Sequence, residues 1–572
     1  MIKSRERLNK AVLSVLFILI SVALLMKCFV GFGWNDEAYY LVLAERFAKG
    51  DILLYHDWYP TQWVGIILAP FFLLFETVTG GTSGIVLAFR ILFCVLLIVE
   101  AALVWKAISV FFKNDLIGFI AGVILLIYST ENKASYSYSD IAVHCMVAAA
   151  ILIMPALRRD NKWIFYYLAG LFFVISVICN PYIMIVYIWL VICALVCKKE
   201  NGSNFFRELL WFTGGCFTIG VPILVYTICN APIADIVTSI QYMLNMPDHS
   251  AKNIVIETVK WCWYSLKSYT IVGIVIQCAI VAYIVISKIT GKSIARLKKY
   301  ILWIELGLSV LYVLVQYFLM DDKNVIGIAY VPIVITSMIL YLITENRHSE
   351  LMILLVIPGL LISLSFQWGS DTGIFAMMTG YAVAAVAAVI IIYDYYCEYY
   401  LQSGLGNRAI YCVIIFFLVS MVSYTLVVRL SYTRRADREE VYNTQAVTGP
   451  YAGVLTDENQ LIQYEQTLQD ARNMKTLIGR EDNVLVLGSA DNCWIYLALD
   501  RPIGVFFCFR VDADHEYFDD YYTMHPEKVP RCVYINEYSK EYGENSIVVG
   551  GYRFDAGDSG KVFLSLQIKS QG

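Results

Sequence analysis

The chain has 572 residues, of which 59% are hydrophobic and 16% charged, and its mean hydropathy is +0.63. Soluble domains carry about 25% charged residues, so this composition excludes an ordinary soluble protein and predicts a polytopic membrane protein. Residues 431–572 contain 14 Lys and Arg against 22 Asp and Glu, whereas the preceding part contains 29 against 25. A basic membrane part followed by an acidic tail argues against nucleic acid as a partner.

The N-terminus is basic and is followed by an apolar run from Ala11 to Val30. This run is long and has no small-residue cleavage site after it, so it predicts an uncleaved first span rather than a signal peptide. The basic residues before the run place the N-terminus in the cytoplasm. Residues 31–84 then form a first loop outside the membrane.

Two adjacent carboxylates, Asp36 and Glu37, open this loop within the sequence Gly-Trp-Asn-Asp-Glu-Ala-Tyr-Tyr at 33–40. Their position at the mouth of a membrane helix puts them at the bilayer surface, within reach of a lipid headgroup. A second interpretation is helix capping, because Asn35 or Asp36 suits the first position of a helix and acids there suit its dipole. An amphipathic helix follows and ends at Gly50.

The rest of the membrane part is predicted from apolar segments of span length. The segment 64–75 is short and lies between Pro60 and Gly80, so it predicts an interfacial or re-entrant helix. Further spans are predicted at about 85–105, 116–130, 141–157, 163–180, 181–197, 208–229, 270–288, 299–320, 325–343, 350–366, 373–393 and 409–431. With the first, these make about thirteen, and basic residues concentrate in the predicted inner loops. An odd number of spans places the tail outside the cell.

The tail, 433–572, is predicted to be a separate extracytoplasmic α/β domain after a transmembrane domain, 1–432. Its pattern predicts helices at Asp457–Leu477 and Cys493–Leu499. It predicts strands at Asn483–Gly488, Val505–Phe509, Cys532–Asn536 and Lys561–Ile568. The glycines of a dinucleotide-binding turn are missing. The cysteines and histidines show no zinc-site spacing, so no metal ligand is assigned.

Three further motifs accompany the Asp-Glu pair. They are His56-Asp-Trp-Tyr-Pro60 in the first loop, Arg90 at the start of the next full span, and Tyr138-Ser-Asp140 at the end of the second outer loop. With the pair, the first-loop helix and the span count, they resemble GT-C glycosyltransferases. In particular the chain is similar to the lipid A aminoarabinose transferase and protein O-mannosyltransferase group (glycosyltransferase family 39), with the RgtA/B/C/D-like enzymes.

This resemblance implies a GT-C-like fold in the plasma membrane and a function in the cell envelope. The implied enzyme moves a sugar from a polyprenyl-phosphate donor to an acceptor hydroxyl of a glycan, lipid or protein on the outer face. Asp36 is the implied general base, because a sugar hydroxyl needs a positioned carboxylate to accept its proton. Glu37 then positions the acceptor or binds a divalent metal, or is simply solvated; the cofactor is therefore left open.

The remaining motif residues are predicted to bind substrate. Arg90 suits the donor phosphate, but an arginine at an outer helix end also fits snorkelling to the interface. Asp140 either orients the donor or caps the next helix. His56, Trp58 and Tyr59 are predicted sugar or phosphate contacts, although polar and aromatic residues are common at membrane interfaces. The related aminoarabinose transferases have a lysine near the aromatic-Pro stretch, where this chain offers only His56.

Two other functions compete with the transferase. A transporter or a flippase of lipid-linked saccharides needs ionisable residues deep in the helix bundle, and such residues are scarce in the predicted spans. A non-catalytic surface protein with an acidic, partner-binding tail does not explain the carboxylates of the first loop. Convergence of Asp36, Arg90 and Asp140 on one outward cavity is expected for the enzyme only.

Overall fold

The computed structural model describes residues 2–34, 36–128, 136–157, 163–196, 205–245, 253–319, 330–344, 348–369, 374–401, 423, 426–427, 442–509, 511–513, 515–535, 546–557 and 561–565. Helices dominate the part up to residue 401. The tail contains the strands of a small mixed sheet. The predicted class, an α-helical membrane part followed by a C-terminal α/β unit, is confirmed.

The helical part begins with α1 in the first span, α2 and α3 in the first loop, and α4 in the next span. In chain order the helices are α1 Ile2–Lys27, α2 Asp36–Ala48, α3 Val64–Thr79, α4 Ile85–Phe112, α5 Asp115–Ile127, α6 Tyr138–Ala156, α7 Trp163–Cys179, α8 Met184–Val196, α9 Phe205–Asn230, α10 Ile233–Asn245, α11 Ile254–Leu266, α12 Thr270–Thr290, α13 Ala295–Phe318, α14 Tyr330–Ile343, α15 Ser349–Gly369 and α16 Ile374–Tyr396.

Seven helical stretches in the described residues are long and apolar enough to cross a membrane. They are Lys10–Lys27, Ile85–Phe112, Tyr138–Ala156, Phe205–Asn230, Ile254–Thr290, Ser349–Gly369 and Met377–Tyr400. Shorter apolar helices, such as α5 and α14, pack among them, with α16 against α5, α14 and α15. The predicted last span, 409–431, lies almost wholly outside the described residues, so the count of thirteen stays a prediction.

The described residues of the predicted outer segment 230–269, which are 230–245 and 253–269, are mostly helical. They contain α10 and α11, which expose apolar side chains such as Val237 and Trp263 while burying Ser239 and Glu257 on other faces. Glu257 accepts a hydrogen bond from Gln367 Nε2 at 2.6 Å, which ties α11 to α15. Helices that expose apolar side chains and bury polar ones against the protein suit contact with lipid, and α11 is part of the candidate span Ile254–Thr290.

The tail is built on a five-stranded sheet. Its elements are β1 Thr444–Gln445, β2 Leu455–Thr456, α17 Glu458–Leu477, β3 Val484–Leu487, α18 Trp494–Leu499, α19 Tyr517–Met524, β4 Cys532–Ile535, β5 Ser546–Val549, β6 Tyr552–Ala556 and β7 Val562–Ser565. The strand order is β3-β4-β7-β6-β5. β3 and β4 are parallel, and the other neighbours are antiparallel. Asp457 caps α17 by accepting a hydrogen bond from the Gln460 amide.

One predicted strand, Val505–Phe509, is wrong. These residues form an irregular segment, and the Phe506 carbonyl accepts a hydrogen bond from the Trp58 amide at 2.8 Å. The neighbouring Phe507 stacks on Tyr59, with ring centroids 4.0 Å apart. The segment therefore binds the first loop instead of joining the sheet.

The tail packs directly on the first loop. Val30 bridges to Leu455 beside β2, and the Gly31 amide donates to the Leu455 carbonyl at 2.7 Å. Lys49, just after α2, forms an ion pair with Asp500 at 2.7 Å. As a result, α2 is buried continuously from Glu37 to Arg46. The predicted amphipathic helix is therefore covered on both faces, because the tail covers the face expected to meet water.

Candidate functional site

Asp36 and Glu37 are neighbours in the sequence but have different environments. Asp36 begins α2 and is half-buried, whereas Glu37 is 1% exposed and is held by Arg90. The two carboxylates of the predicted catalytic pair are thus turned to different surroundings. Asn35, the other predicted cap of this helix, lies outside the described residues.

Arg90 forms a two-pronged ion pair with Glu37. Its Nε lies 2.5 Å from Glu37 Oε1, and one terminal nitrogen lies 2.6 Å from Oε2. The remaining N–H groups point at the carbonyls of Cys28, Val30 and Gly31, at 3.0, 3.5 and 2.8 Å. The side chain is fully buried, and all five N–H groups have an acceptor, as a guanidinium requires. This arrangement fixes the chain between α1 and α2, and it leaves no N–H for a phosphate.

The start of α6 approaches the first loop next to Asp36. Tyr40, one helical turn after Asp36, meets the ring of Tyr138 edge to face at 6.2 Å. Residues four apart share a face of a helix, so Asp36 lies on the side of α2 that turns toward Tyr138. Asp140, two residues further on, is 1% exposed. Its amide donates to Ser137 Oγ, so Ser137 is the cap of α6, and the capping role considered for Asp140 is filled.

Sequence reasoning missed the polar cluster that closes the first loop. Arg46 of α2 is fully buried, and its guanidinium donates to Asp51 and to Asp57, each at 2.7 Å. Lys528 of the tail is also bonded to Asp51. Burial alone would raise the pKa of Asp51, but Arg46 and Lys528 outweigh it and hold that pKa far below its usual range. Burial raises the pKa of Asp57 to about 6, against the effect of Arg46.

His56 belongs to this cluster rather than to an open binding surface. Its Nδ1 accepts from the Ile52 amide at 2.9 Å, and its carbonyl accepts from Arg46 and from Tyr521. Burial lowers the pKa of His56 to about 3, although Asp51 opposes this shift. The ring is therefore neutral at physiological pH, so it offers no cation to a phosphate.

One group of side chains within the described residues is close enough together to hold a metal ion: His56, His525 and Glu527. His56 Nε2 and His525 Nδ1 each lie 3.6 Å from Glu527 Oε1. Because His56 Nδ1 accepts a hydrogen bond, the neutral ring carries its proton on Nε2, the atom that a metal would need. In this arrangement the three residues do not fit a metal site.

The two predicted sugar-stacking aromatics differ in their access. Trp58 is fully buried and stacks on Tyr242 of α10, with ring centroids 4.4 Å apart and planes 2° apart. Tyr59 is half-buried, and it stacks on Phe507. A tryptophan buried on this scale is a packing residue, so Tyr59 is the more exposed of these two aromatic side chains.

Comparison with known proteins adds only a likeness of fold. No protein-family model matches the chain, and no curated protein matches it. Among solved structures, it is similar to the archaeal oligosaccharyltransferase AglB from Archaeoglobus fulgidus in complex with an inhibitory peptide and a dolichol-phosphate. That match has 12% identity and a TM-score of 0.45, and it covers 93% of this chain and 69% of that one. The oligosaccharyltransferase of Archaeoglobus fulgidus in the apo form matches at 13% identity and a TM-score of 0.45, over 92% and 69%. At this level of similarity no functional conclusion follows.

Proposed function

We propose that this chain is a membrane glycosyltransferase that uses a polyprenyl-phosphate sugar, with Asp36 as its general base. The observation that carries the proposal is that the two adjacent acids in the first turn of α2 have different surroundings. Glu37 is bound to Arg90, whereas Asp36 is half-buried on the side of the helix that faces Tyr138. The Asp140 carboxylate and the ring of Tyr59 are the proposed contacts for the donor sugar.

The proposed reaction is a substitution at the anomeric carbon of the donor sugar. The acceptor hydroxyl oxygen bonds to that carbon, the bond from the carbon to the phosphate oxygen breaks, and polyprenyl phosphate leaves. Asp36 accepts the hydroxyl proton, which makes the acceptor a better nucleophile.

Within this proposal, Arg90 and Glu37 are positioning residues. Their pairing, together with the bonds from Arg90 to the carbonyls of Cys28 and Gly31, fixes the backbone just before Asp36. This replaces the direct phosphate contact expected from the sequence, for which Arg90 has no N–H to spare. Catalytic groups need support of this kind to stay in a productive geometry.

The test is Asp36→Asn, assayed with a donor taken from the lipids that a deletion strain accumulates. Asparagine caps helices about as well as aspartate, so the variant should fold and insert. Turnover should fall by about 10²–10⁴-fold, the usual contribution of a general base, while donor binding is kept. Asp115→Asn is the matched control, because Asp115 also begins a helix, α5. Wild-type turnover in Asp36→Asn would remove the base from the mechanism.

The alternative function is transport or flipping of a lipid-linked saccharide. Two acidic groups in the helix bundle favour it, Glu305, which is buried, and Glu100, which is partly buried. Glu305 of α13 accepts from Gln277 at 2.8 Å, and Glu100 of α4 lies 2.9 Å from His144 of α6. Such groups inside a bundle often mark transport pathways. Purified protein in detergent distinguishes the two functions, since a transferase still forms product there and a flippase forms none.

A further inference from the structure

A polar cleft of about 360 Å³ lies between the membrane part and the tail, away from Asp36. We call it the outer cleft, and its lining includes Gly81, Thr82, Ser83, Arg472, Lys475 and Asp500. Asp500 pairs with Lys49, at the C-terminal end of α2. The Asp500 side of the cleft thus lies at the opposite end of α2 from Asp36, the proposed catalytic residue.

The cleft has an excess of positive charge within an acidic tail. Arg472 and Lys475 are three residues apart on α17 and thus share a face. Arg472 is exposed and donates to Thr448 Oγ1, whereas Lys475 is half-buried and forms no ion pair or hydrogen bond with a described residue. Burial lowers the pKa of Lys475, and nearby Arg501 adds to this effect while Asp500 opposes it. Lys49 pairs with both Glu45 and Asp500, so Lys475 shares the influence of these carboxylates with Lys49 and forms no ion pair of its own with a described residue.

The opposite wall of the cleft is a glycine-containing turn between α3 and α4. The amides of Gly81, Thr82 and Ser83 donate to no group among the described residues. A Cβ added at Gly81 would meet nothing within 4 Å, so the space beside it is open. Thr82 Oγ1 donates to the Leu497 carbonyl at 2.7 Å, which holds the turn against the tail. Consecutive free amides of this kind bind anions in other proteins.

We propose that the outer cleft binds a phosphate group. Arg472 offers a planar donor fork, Lys475 offers a point charge that forms no ion pair of its own with a described residue, and the turn offers free amides, which together are the groups that phosphate sites use. The volume accommodates a phosphate with one attached glycerol or sugar unit. Such a group is carried by a phospholipid headgroup or by a phosphorylated soluble glycan. The inference does not depend on the transfer reaction, because it concerns binding at a separate site.

The first arm of the test uses the full chain in detergent without phospholipid. Glycerol 1-phosphate is titrated by calorimetry into the wild type, into Arg472→Gln/Lys475→Gln, and into the control Arg480→Gln/Arg553→Gln. The control removes the same charge from exposed positions of the tail outside the cleft. We expect the cleft variant to bind about tenfold more weakly or worse, the loss typical of one charge-assisted hydrogen bond or more. The control should bind as the wild type does.

The second arm identifies a lipid source. Native mass spectrometry compares the phosphatidylglycerol and phosphatidylcholine retained by the wild type and the cleft variant after reconstitution in nanodiscs. A loss of phosphatidylglycerol alone in the cleft variant supports a headgroup, and weaker glycerol phosphate binding alone supports a soluble phosphate. If neither ligand distinguishes the cleft variant from the wild type, or if the control loses as much, the proposal is wrong. Asp36→Asn should leave both results unchanged.

Discussion

Replacing Arg90 by glutamine separates a structural role for this residue from a role in binding the donor. The guanidinium is fully buried, and its partner Glu37 is 1% exposed. Arg90→Gln therefore leaves a buried carboxylate without its counter-ion. Breaking a buried pair in this way costs about 3–5 kcal/mol, a large share of a domain's total stability of about 5–15 kcal/mol.

For the same reason, the stability losses caused by replacing Arg90 and by replacing Glu37 should not be additive. Glu37→Gln alone leaves the Arg90 charge buried and unpaired, but the double variant Glu37→Gln/Arg90→Gln leaves no charge at all. We expect the double variant to be more stable than the sum of the single losses by about 0.5–3 kcal/mol, the range for residues in direct contact. Two amides at these positions can also hydrogen-bond to each other.

The assay is thermal unfolding of purified protein in detergent, with no donor present. Both single variants should unfold at clearly lower temperatures than the wild type, and the double variant should regain part of the loss. Membrane proteins often unfold irreversibly, so the order of the variants at one heating rate is the quantity to compare. Arg90→Gln with wild-type thermal stability and weakened donor use would refute this reasoning and restore the phosphate contact.

Two other predictions concern acid stability and orientation. Burial lowers the pKa of His56 to about 3 and of His525 to about 4, so the native state binds fewer protons than the unfolded chain below the ordinary histidine value. The two histidines should therefore lower stability as the pH drops below about 6.5, whereas Asp57, with its raised pKa, acts in the opposite direction. The test is thus a comparison: between about pH 7 and pH 5 the melting temperature of His525→Gln should fall less, or rise more, than that of the wild type, and an identical pH dependence would contradict this. In intact cells, a membrane-impermeant maleimide should label a cysteine placed at Glu516 but not one at Lys298, with the parent chain as the control for its own cysteines. Labelling at Glu516 only after permeabilisation would place the tail inside.

Elements with a strong local pattern were predictable from the sequence. The helix after Asp36, the polar helix α17 and the buried strand β3 each carry a periodicity, a cap or a composition that decides their conformation. The predicted strand Val505–Phe509 failed because local composition cannot show which partner an apolar segment meets.

The surroundings of the candidate site depend on contacts between residues far apart in the sequence. No local pattern joins Asp51 to Lys528, 477 positions away, or stacks Trp58 on Tyr242. An arginine in a short surface helix is ordinarily expected to be solvated, and Arg46 of α2 is buried because the tail packs on this helix. The Arg90–Glu37 pair was the one contact with a usable signal, because an arginine and an acid at outer helix ends are natural partners in a membrane protein.

The bridge from Val30 to Leu455 has a consequence for biosynthesis. The first loop is among the earliest segments to be made, but the strand that pairs with it is more than 400 residues later. At about 5–20 residues per second, the loop waits on the order of 20–80 seconds for this partner. During that time Arg46, Asp51 and Asp57 lack the cover of the tail. Premature termination in the tail should therefore expose the nascent loop to proteases and quality control, so that a late stop codon lowers protein abundance as well as function.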